Sequence, residues 1–166
     1  MIIINKRNLF FLISVWLLST LLSAQNVTIS TPHTQLLLSV PNGGTPEQLY
    51  YGSRTSDADI RSICETARRR NAYPVYGMGY PCETALSVRH ADGNLTLQMA
   101  VIGVKETRLT KENATLTVIE LKDKVYPFFV NICYKAWQDA DVIETWTEIR
   151  HEEKKPVQLQ QFASAY

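Results

Sequence analysis

Alternation of apolar and polar residues with a period of two, carried along most of the chain, is what most constrains its fold. Leu86, Val88 and His90 alternate with Ser87 and Arg89, and Leu95, Leu97, Met99 and Val101 alternate with Thr96, Gln98 and Ala100. Phe128, Val130, Ile132, Tyr134 and Ala136 share one parity, and Ile143, Thr145, Thr147 and Ile149 oppose Val142, Glu144, Trp146 and Glu148. Successive side chains of a strand point to opposite faces, so this spacing predicts half-buried β-strands. Residues 116–121 make another apolar strand, ended by Lys122-Asp123-Lys124, and residues 27–30, 35–40 and 156–164 also read as strands. Turn residues separate them: Pro41-Asn42-Gly43-Gly44, Ala91-Asp92-Gly93-Asn94, Gln138-Asp139-Ala140-Asp141 and the charged His151-Glu152-Glu153-Lys154-Lys155. Asp-Gly supplies the positive φ angles of a tight hairpin, so the strand at 86 is expected to fold back on the one at 95.

One helix interrupts this pattern. Ser56 or Asp57 can cap it, and Ile60, Ile63, Cys64 and Ala67 follow at helical spacing. Arg68-Arg69-Arg70 are expected to close it, since cations suit the negative end of a helix dipole; a binding patch is the other reading of the triplet. Many strands, short turns and one short helix predict a mainly all-β fold, a large antiparallel β-sandwich. No repeat, low-complexity tract or second domain is visible in the sequence.

Lys6 and Arg7 precede an apolar run from Leu9 to Leu22, followed by Ser23-Ala24-Gln25. A short basic region, an apolar core and a small residue before a polar one make a secretory signal peptide, expected to be cut after Ala24. The run is short for a membrane span, which needs roughly 20 apolar residues. Cleavage takes two of the 17 basic residues and none of the 16 acidic ones, leaving 15 and a net charge of −1. That balance gives no electrostatic reason to expect nucleic acid or an anionic membrane as partner. Residues 25–166 suffice for one domain with a core.

Recognisable chemistry is scarce. Cys64, Cys82 and Cys133 are an odd number, with no Cys-x-x-Cys and no His at metal-ligand spacing, so they read as small, partly buried residues, and no metal or cofactor is expected. His33, His90 and His151 lie in or beside turns and read as solvated or turn-capping. Asp57/Asp59 and Glu152/Glu153 sit in polar, exposed-looking settings, and nothing in the sequence sets two carboxyls across one bond as a glycosidase needs. The densest aromatic and turn-forming stretch is Tyr73-Pro74-Val75-Tyr76-Gly77-Met78-Gly79-Tyr80-Pro81. Rings on a loop rich in Gly and Pro can stack on the apolar faces of sugars. Equally, Tyr73 and Tyr76 can pack inward while the glycines permit a tight crossing. Tyr76, Gly77, Gly79, Tyr80 and Glu83 are the candidates for a substrate or interface loop. The sequence closes on the apolar Phe162-Ala163-Ser164-Ala165-Tyr166, which reads as a sandwich incomplete at its C-terminal end and as the front of something larger.

The order of several landmarks carries a resemblance. Tyr50-Tyr51-Gly52-Ser53-Arg54 precedes the helix at Ser56-Asp57-Ala58-Asp59, and Tyr73-Pro74-Val75-Tyr76-Gly77 follows it. Then come Glu83-Thr84-Ala85-Leu86-Ser87-Val88, His90-Ala91-Asp92-Gly93, the stretch Asp141-Val142-Ile143-Glu144-Thr145-Trp146-Thr147-Glu148-Ile149, Pro156-Val157-Gln158-Leu159 and Ala163-Ser164-Ala165. From about Val27 to Tyr166 the chain resembles the N-terminal β-supersandwich domain of glycoside hydrolase family 36, the bacterial α-galactosidases. The resemblance implies a domain placed ahead of a catalytic (β/α)₈ barrel, with hydrolysis of terminal α-galactosides, with retention, by two aspartates of that barrel beyond Tyr166. It implies the barrel as partner, with neighbouring subunits of a homo-oligomer as further ones, and a loop of this domain reaching a neighbouring active site. Many members carry an Asp-aromatic-Arg triplet on that loop, whereas this chain has Met78-Gly79-Tyr80-Pro81-Cys82-Glu83, which keeps only the aromatic, as Tyr80. A bacterial source makes the triplets at Asn26, Asn94 and Asn113 chance matches to a glycan acceptor.

Three functions are consistent with these residues. One is the non-catalytic front segment of an exported α-galactosidase-like enzyme, periplasmic or extracellular. Another is a stand-alone carbohydrate-binding sandwich in which Tyr76, Tyr80 and Trp137 or Trp146 stack on sugar. The third is a scaffold or adhesion module without a ligand.

Overall fold

The computed structural model describes residues 25–164 apart from Tyr80 and Cys82. The apolar run before Gln25 and its cleavage point lie outside the described residues. Among the described residues ten strands form three antiparallel sheets. The first holds β1 (Gln25–Ser30), β2 (Thr34–Val40), β3 (Glu47–Ser53) and the short β4 (Arg70–Asn71), in that order. The second is the meander β6 (Met99–Leu109), β7 (Ala114–Asp123), β8 (Phe128–Trp137) and β9 (Val142–His151). The third pairs β5 (Leu86–Arg89) with β10 (Gln158–Phe162).

The inner faces follow from the period of two. Phe128, Val130, Ile132, Tyr134 and Ala136 of β8 and Ile119 and Leu121 of β7 are all buried, in one cluster with Val27, Ile29, Leu36 and Leu38 of the first sheet. Burying one such side chain contributes about 1.5–3 kcal/mol, so this shared layer holds the sheets face to face as a β-sandwich. The turns are tied across it. Val101 exchanges hydrogen bonds with Gly43 and Gly44, at 3.2 and 2.8 Å, and Asp141 takes the Thr31 hydroxyl (2.5 Å) and the His33 N–H (3.0 Å). The register of β6 against β7 shifts between Val101 and Gly103, a bulge that leaves Ile102 57% exposed.

Helix α1 (Asp57–Thr66) starts as its sequence demands. The Ser56 hydroxyl accepts from the Asp59 N–H while the Asp59 carboxylate accepts from the Ser56 N–H, a reciprocal capping box. Ile60, Ile63, Cys64 and Ala67 are half-buried and no helix residue is fully buried, so α1 lies on the surface. The arginine triplet does not close it. The helix stops at Ala67, which adopts extended backbone. Arg69 pairs with Glu47 at 2.9 Å and reaches the Ser39 hydroxyl at 3.1 Å, and Arg70 enters β4 opposite Gln48. Backbone pairing and a specific carboxylate outweigh the few tenths of a kcal/mol that an exposed helix dipole offers.

The hairpin expected at 91–94 is corrected too. The turn forms, with Gly93 at φ 92° and His90 and Asn94 hydrogen bonded at 2.8 Å, but residues 95–98 then part from β5. Val75 and Tyr76 occupy the gap. Tyr76 donates its N–H to Leu86 at 2.9 Å and accepts from the Leu97 N–H at 3.0 Å, while β10 takes the other side of β5.

Candidate functional site

Four of the five loop candidates come together. Tyr76, Gly77, Gly79 and Glu83, with Val75, Pro81, Thr84 and Gln161, line an open cavity of about 520 Å³. Tyr80 lies outside the described residues. The loop is anchored at its start: Tyr73 is buried, donates its hydroxyl to the Ala163 carbonyl at 3.1 Å, and has its pKa raised by that burial. Past this anchor the chain surfaces, with Tyr76 48% and Met78 41% exposed. Of the two tyrosines, then, Tyr73 packs inward and Tyr76 does not.

The two glycines differ. Gly77 has φ 100°, and a Cβ there would stand 2.7 Å from the Thr96 methyl, 2.9 Å from Thr96 Cα and 3.1 Å from the Leu97 nitrogen. Its freedom serves a crossing within this domain. Gly79, at φ 71°, has nothing within 4 Å of a built Cβ and faces open space. Glu83 accepts from Gln161 of β10 at 3.0 Å, which joins the loop's exit to the last strand. Exposed ring, thioether, glycine backbone and carboxylate form a surface for contact, of the kind that stacks on an apolar face and accepts a hydrogen bond. Among the described residues no group of three or more His, Cys, Asp or Glu could hold a metal ion.

Trp137 and Trp146 are elsewhere, on the outward face of β8 and β9. Each indole N–H is taken by a carboxylate: Trp137 by Glu144 at 2.9 Å, Trp146 by Glu148 at 3.2 Å. Lys135 Nζ sits 3.8 Å over the Trp137 ring.

A second cluster was not legible in the sequence. The His90 side chain is fully buried and that of Glu153 is 6% exposed, which corrects the solvated reading of both. His90 stacks on Tyr126 at 3.7 Å and meets the edge of Phe128 at 5.9 Å. Its Nδ1 is 2.7 Å from one Glu153 oxygen, and the other oxygen accepts the Ala91 N–H at 3.0 Å. Among the described residues the His90 Nε2 has no hydrogen-bond partner. The Tyr126 hydroxyl donates to Asp92 at 2.7 Å, and the Asn94 N–H first, then this hydroxyl, hold the Asp92 pKa below the usual value. Nearby, buried Asp123 accepts three backbone N–H groups, from Gln98, Val125 and Tyr126, at 2.5, 2.8 and 2.8 Å. These groups fasten the turn at 91–94, the loop at 124–127 and the link to β10 together, so the cluster's work is to hold loops. Its one sequence signal is the parity of His90 with Leu86 and Val88.

With fold and loop in place, the comparisons define the class. The family model described as the glycosyl hydrolase family 36 N-terminal domain matches residues 44–166, and the chain belongs to that family. Solved structures agree in fold. The α-galactosidase of Lactobacillus brevis superposes with a TM-score of 0.73 at 16% identity, over 86% of this chain and 23% of its own. The family 36 α-galactosidase AgaA of Geobacillus stearothermophilus gives 0.72 at 15% identity, over 84% and 24%. The galactosidase domain of the α-galactosidase–sucrose kinase AgaSK gives 0.70 at 22% identity, over 83% and 24%. The chain thus spans about a quarter of the length of the structures it resembles. No protein of curated function matches it by sequence.

Proposed function

We propose that this chain is the N-terminal, non-catalytic segment of an exported α-galactosidase-like glycoside hydrolase. The family match over residues 44–166 carries the reading. In it, the whole enzyme hydrolyses terminal α-galactosides with retention, using two aspartates of a catalytic barrel that this segment packs against. Residues 1–24 act as the signal peptide, and residues 25–166 belong to the sandwich. The loop from Tyr76 to Glu83 contributes to the rim of the substrate pocket or to a subunit contact. Its exposed ring and open cavity support that role, as does Gly79, which leaves the tip unobstructed.

The test compares the chain alone with the full-length enzyme on a chromogenic α-galactoside. The full enzyme is expected to release product and the chain none; activity of the chain that survives further purification would sink the non-catalytic reading. In the full enzyme, Tyr76→Ala and Tyr80→Ala are expected to raise KM or weaken subunit association with the melting temperature nearly kept. A large stability loss with unchanged kinetics would remove the loop from the site. The mass of the exported protein decides cleavage after Ala24.

A further inference from the structure

β9 is the open edge of the four-stranded meander. It pairs with β8 from Val142 opposite Trp137 to His151 opposite Phe128, and among the described residues no strand lies along its other side. Ten residues of edge backbone are a template for another strand. Two of the usual protections are missing, since β9 contains no proline and its register with β8 has no bulge; its charged side chains are the one it keeps.

Its sequence restricts what can pair there. Ile143-Glu144-Thr145-Trp146-Thr147-Glu148-Ile149 reads the same in both directions about Trp146. Two copies meeting antiparallel on a twofold axis at Trp146 set Ile143 on Ile149, Thr145 on Thr147 and Glu144 on Glu148. The core-facing pairs match, but the outward glutamates fall opposite one another twice over, with Cβ atoms about 5 Å apart, which is a repulsive pairing. Neither carboxylate has a cation among the described residues. Glu144 accepts from the Trp137 indole, and Glu148 from Asn131 and the Trp146 indole. Lys135, across from Glu144 on β8, pairs instead with Glu112. The edge therefore disfavours its own copy and favours a strand that brings two positive charges.

The path of the chain indicates the source. The Ser164 carbonyl accepts from the Thr147 hydroxyl at 3.0 Å, which sets the end of the described residues beside the middle of β9. We propose that the open edge of β9 receives a strand from the part of the enzyme that follows this segment. That strand carries Lys or Arg at two positions four residues apart, opposite Glu144 and Glu148, with aliphatic or threonine side chains on its core-facing side. This rests on the reading of the chain as one segment of a larger enzyme.

Charge exchange makes β9 its own probe. By light scattering the wild-type chain is expected to be monomeric and Glu144→Lys dimeric, because each introduced lysine then faces a Glu148 of the other copy. The double variant Glu144→Lys/Glu148→Lys is expected to return to monomer, and an equimolar mixture of it with wild type to form heterodimers. Replacing two repulsive pairs by two attractive ones should tighten association about tenfold or more. Should Glu144→Lys not fold, Glu148→Lys makes the same two pairs with the ends exchanged. In the full-length enzyme the outward amides of β9 are expected to resist hydrogen exchange and to lose that protection in the double variant. A discrete wild-type dimer, a folded single variant that stays monomeric, a double variant that ignores wild type, or unprotected β9 amides in the whole enzyme would each overturn the proposal. These readouts are association and exchange rather than hydrolysis, so their failure leaves the family reading standing.

Discussion

Gly77→Ala and Gly79→Ala, made side by side, test how the candidate loop is held. Both glycines have positive φ, at 100° and 71°, and alanine there costs about 1–2 kcal/mol for the left-handed backbone alone. Part of that is recovered, because alanine has less freedom than glycine to lose on folding. Gly79→Ala should therefore cost about 1 kcal/mol, since its Cβ meets nothing within 4 Å. Gly77→Ala adds contacts at 2.7 and 2.9 Å to Thr96 and 3.1 Å to the Leu97 nitrogen. Two of these are backbone atoms, and Leu97 is fully buried with its N–H on Tyr76, so the segment cannot simply move aside. Overpacking of this kind costs about 1–3 kcal/mol more, for a total of about 2–4 kcal/mol. In a domain of this size 1 kcal/mol moves the melting temperature by about 3–4 °C, so the losses should be roughly 6–16 °C for Gly77 and about 4 °C for Gly79. Thr96→Ala in the Gly77→Ala background removes only the methyl contact and should restore the smaller part. Equal losses at the two positions would refute the crossing at Gly77.

Asp123→Ala strands three backbone donors and should cost about 3 kcal/mol in urea unfolding, while Asp123→Asn, which keeps the oxygen serving Val125 and Tyr126, should cost less. Asp141 has its pKa lowered, chiefly by the Thr31 hydroxyl and then by the His33 N–H. A lowered folded pKa gives stability that is full above the unfolded value near 3.8 and is lost as pH falls through the folded value, so wild type should exceed Asp141→Asn at pH 7 and converge with it in acid. An offset that persists unchanged into acid would show that charge is not the cause. Burial, and next the Glu148 charge, push the Cys133 thiol up to about 11, so mass spectrometry after alkylation at pH 8 should find Cys133 unmodified in the folded chain and modified in urea.

What was legible in the sequence was local. The parity of Phe128 to Ala136 set the inner face of β8, and Ser56 with Asp59 set the start of α1, because each signal lies within a few residues of its effect. Partners were not legible. The Asp-Gly turn dictated its own bend but not that Val75 and Tyr76 would take the place beside β5. Arg70 carries no mark of strand pairing, since only Gln48 opposite it makes it a strand. The site followed the same rule. Tyr76 to Glu83 stood out as a loop, while Gln161, which holds Glu83, lies 78 positions away, and Glu153 lies 63 from His90.

The clasp between Thr31 and Asp141 has a kinetic consequence. Its two ends are 110 residues apart, so this tie between the sheets forms only once Asp141 is made, later than the ties of Val101 to Gly43 and Gly44. At about 5–20 residues per second, synthesis of the intervening chain takes on the order of ten seconds. For most of that interval, until β7 and β8 are made, Leu36 and Leu38 can pair along β2 yet have no opposite layer to bury them. The nascent first sheet is thus a sticky intermediate by timing alone, and a chaperone that shields it before β8 emerges would raise the yield more than one acting on the finished chain.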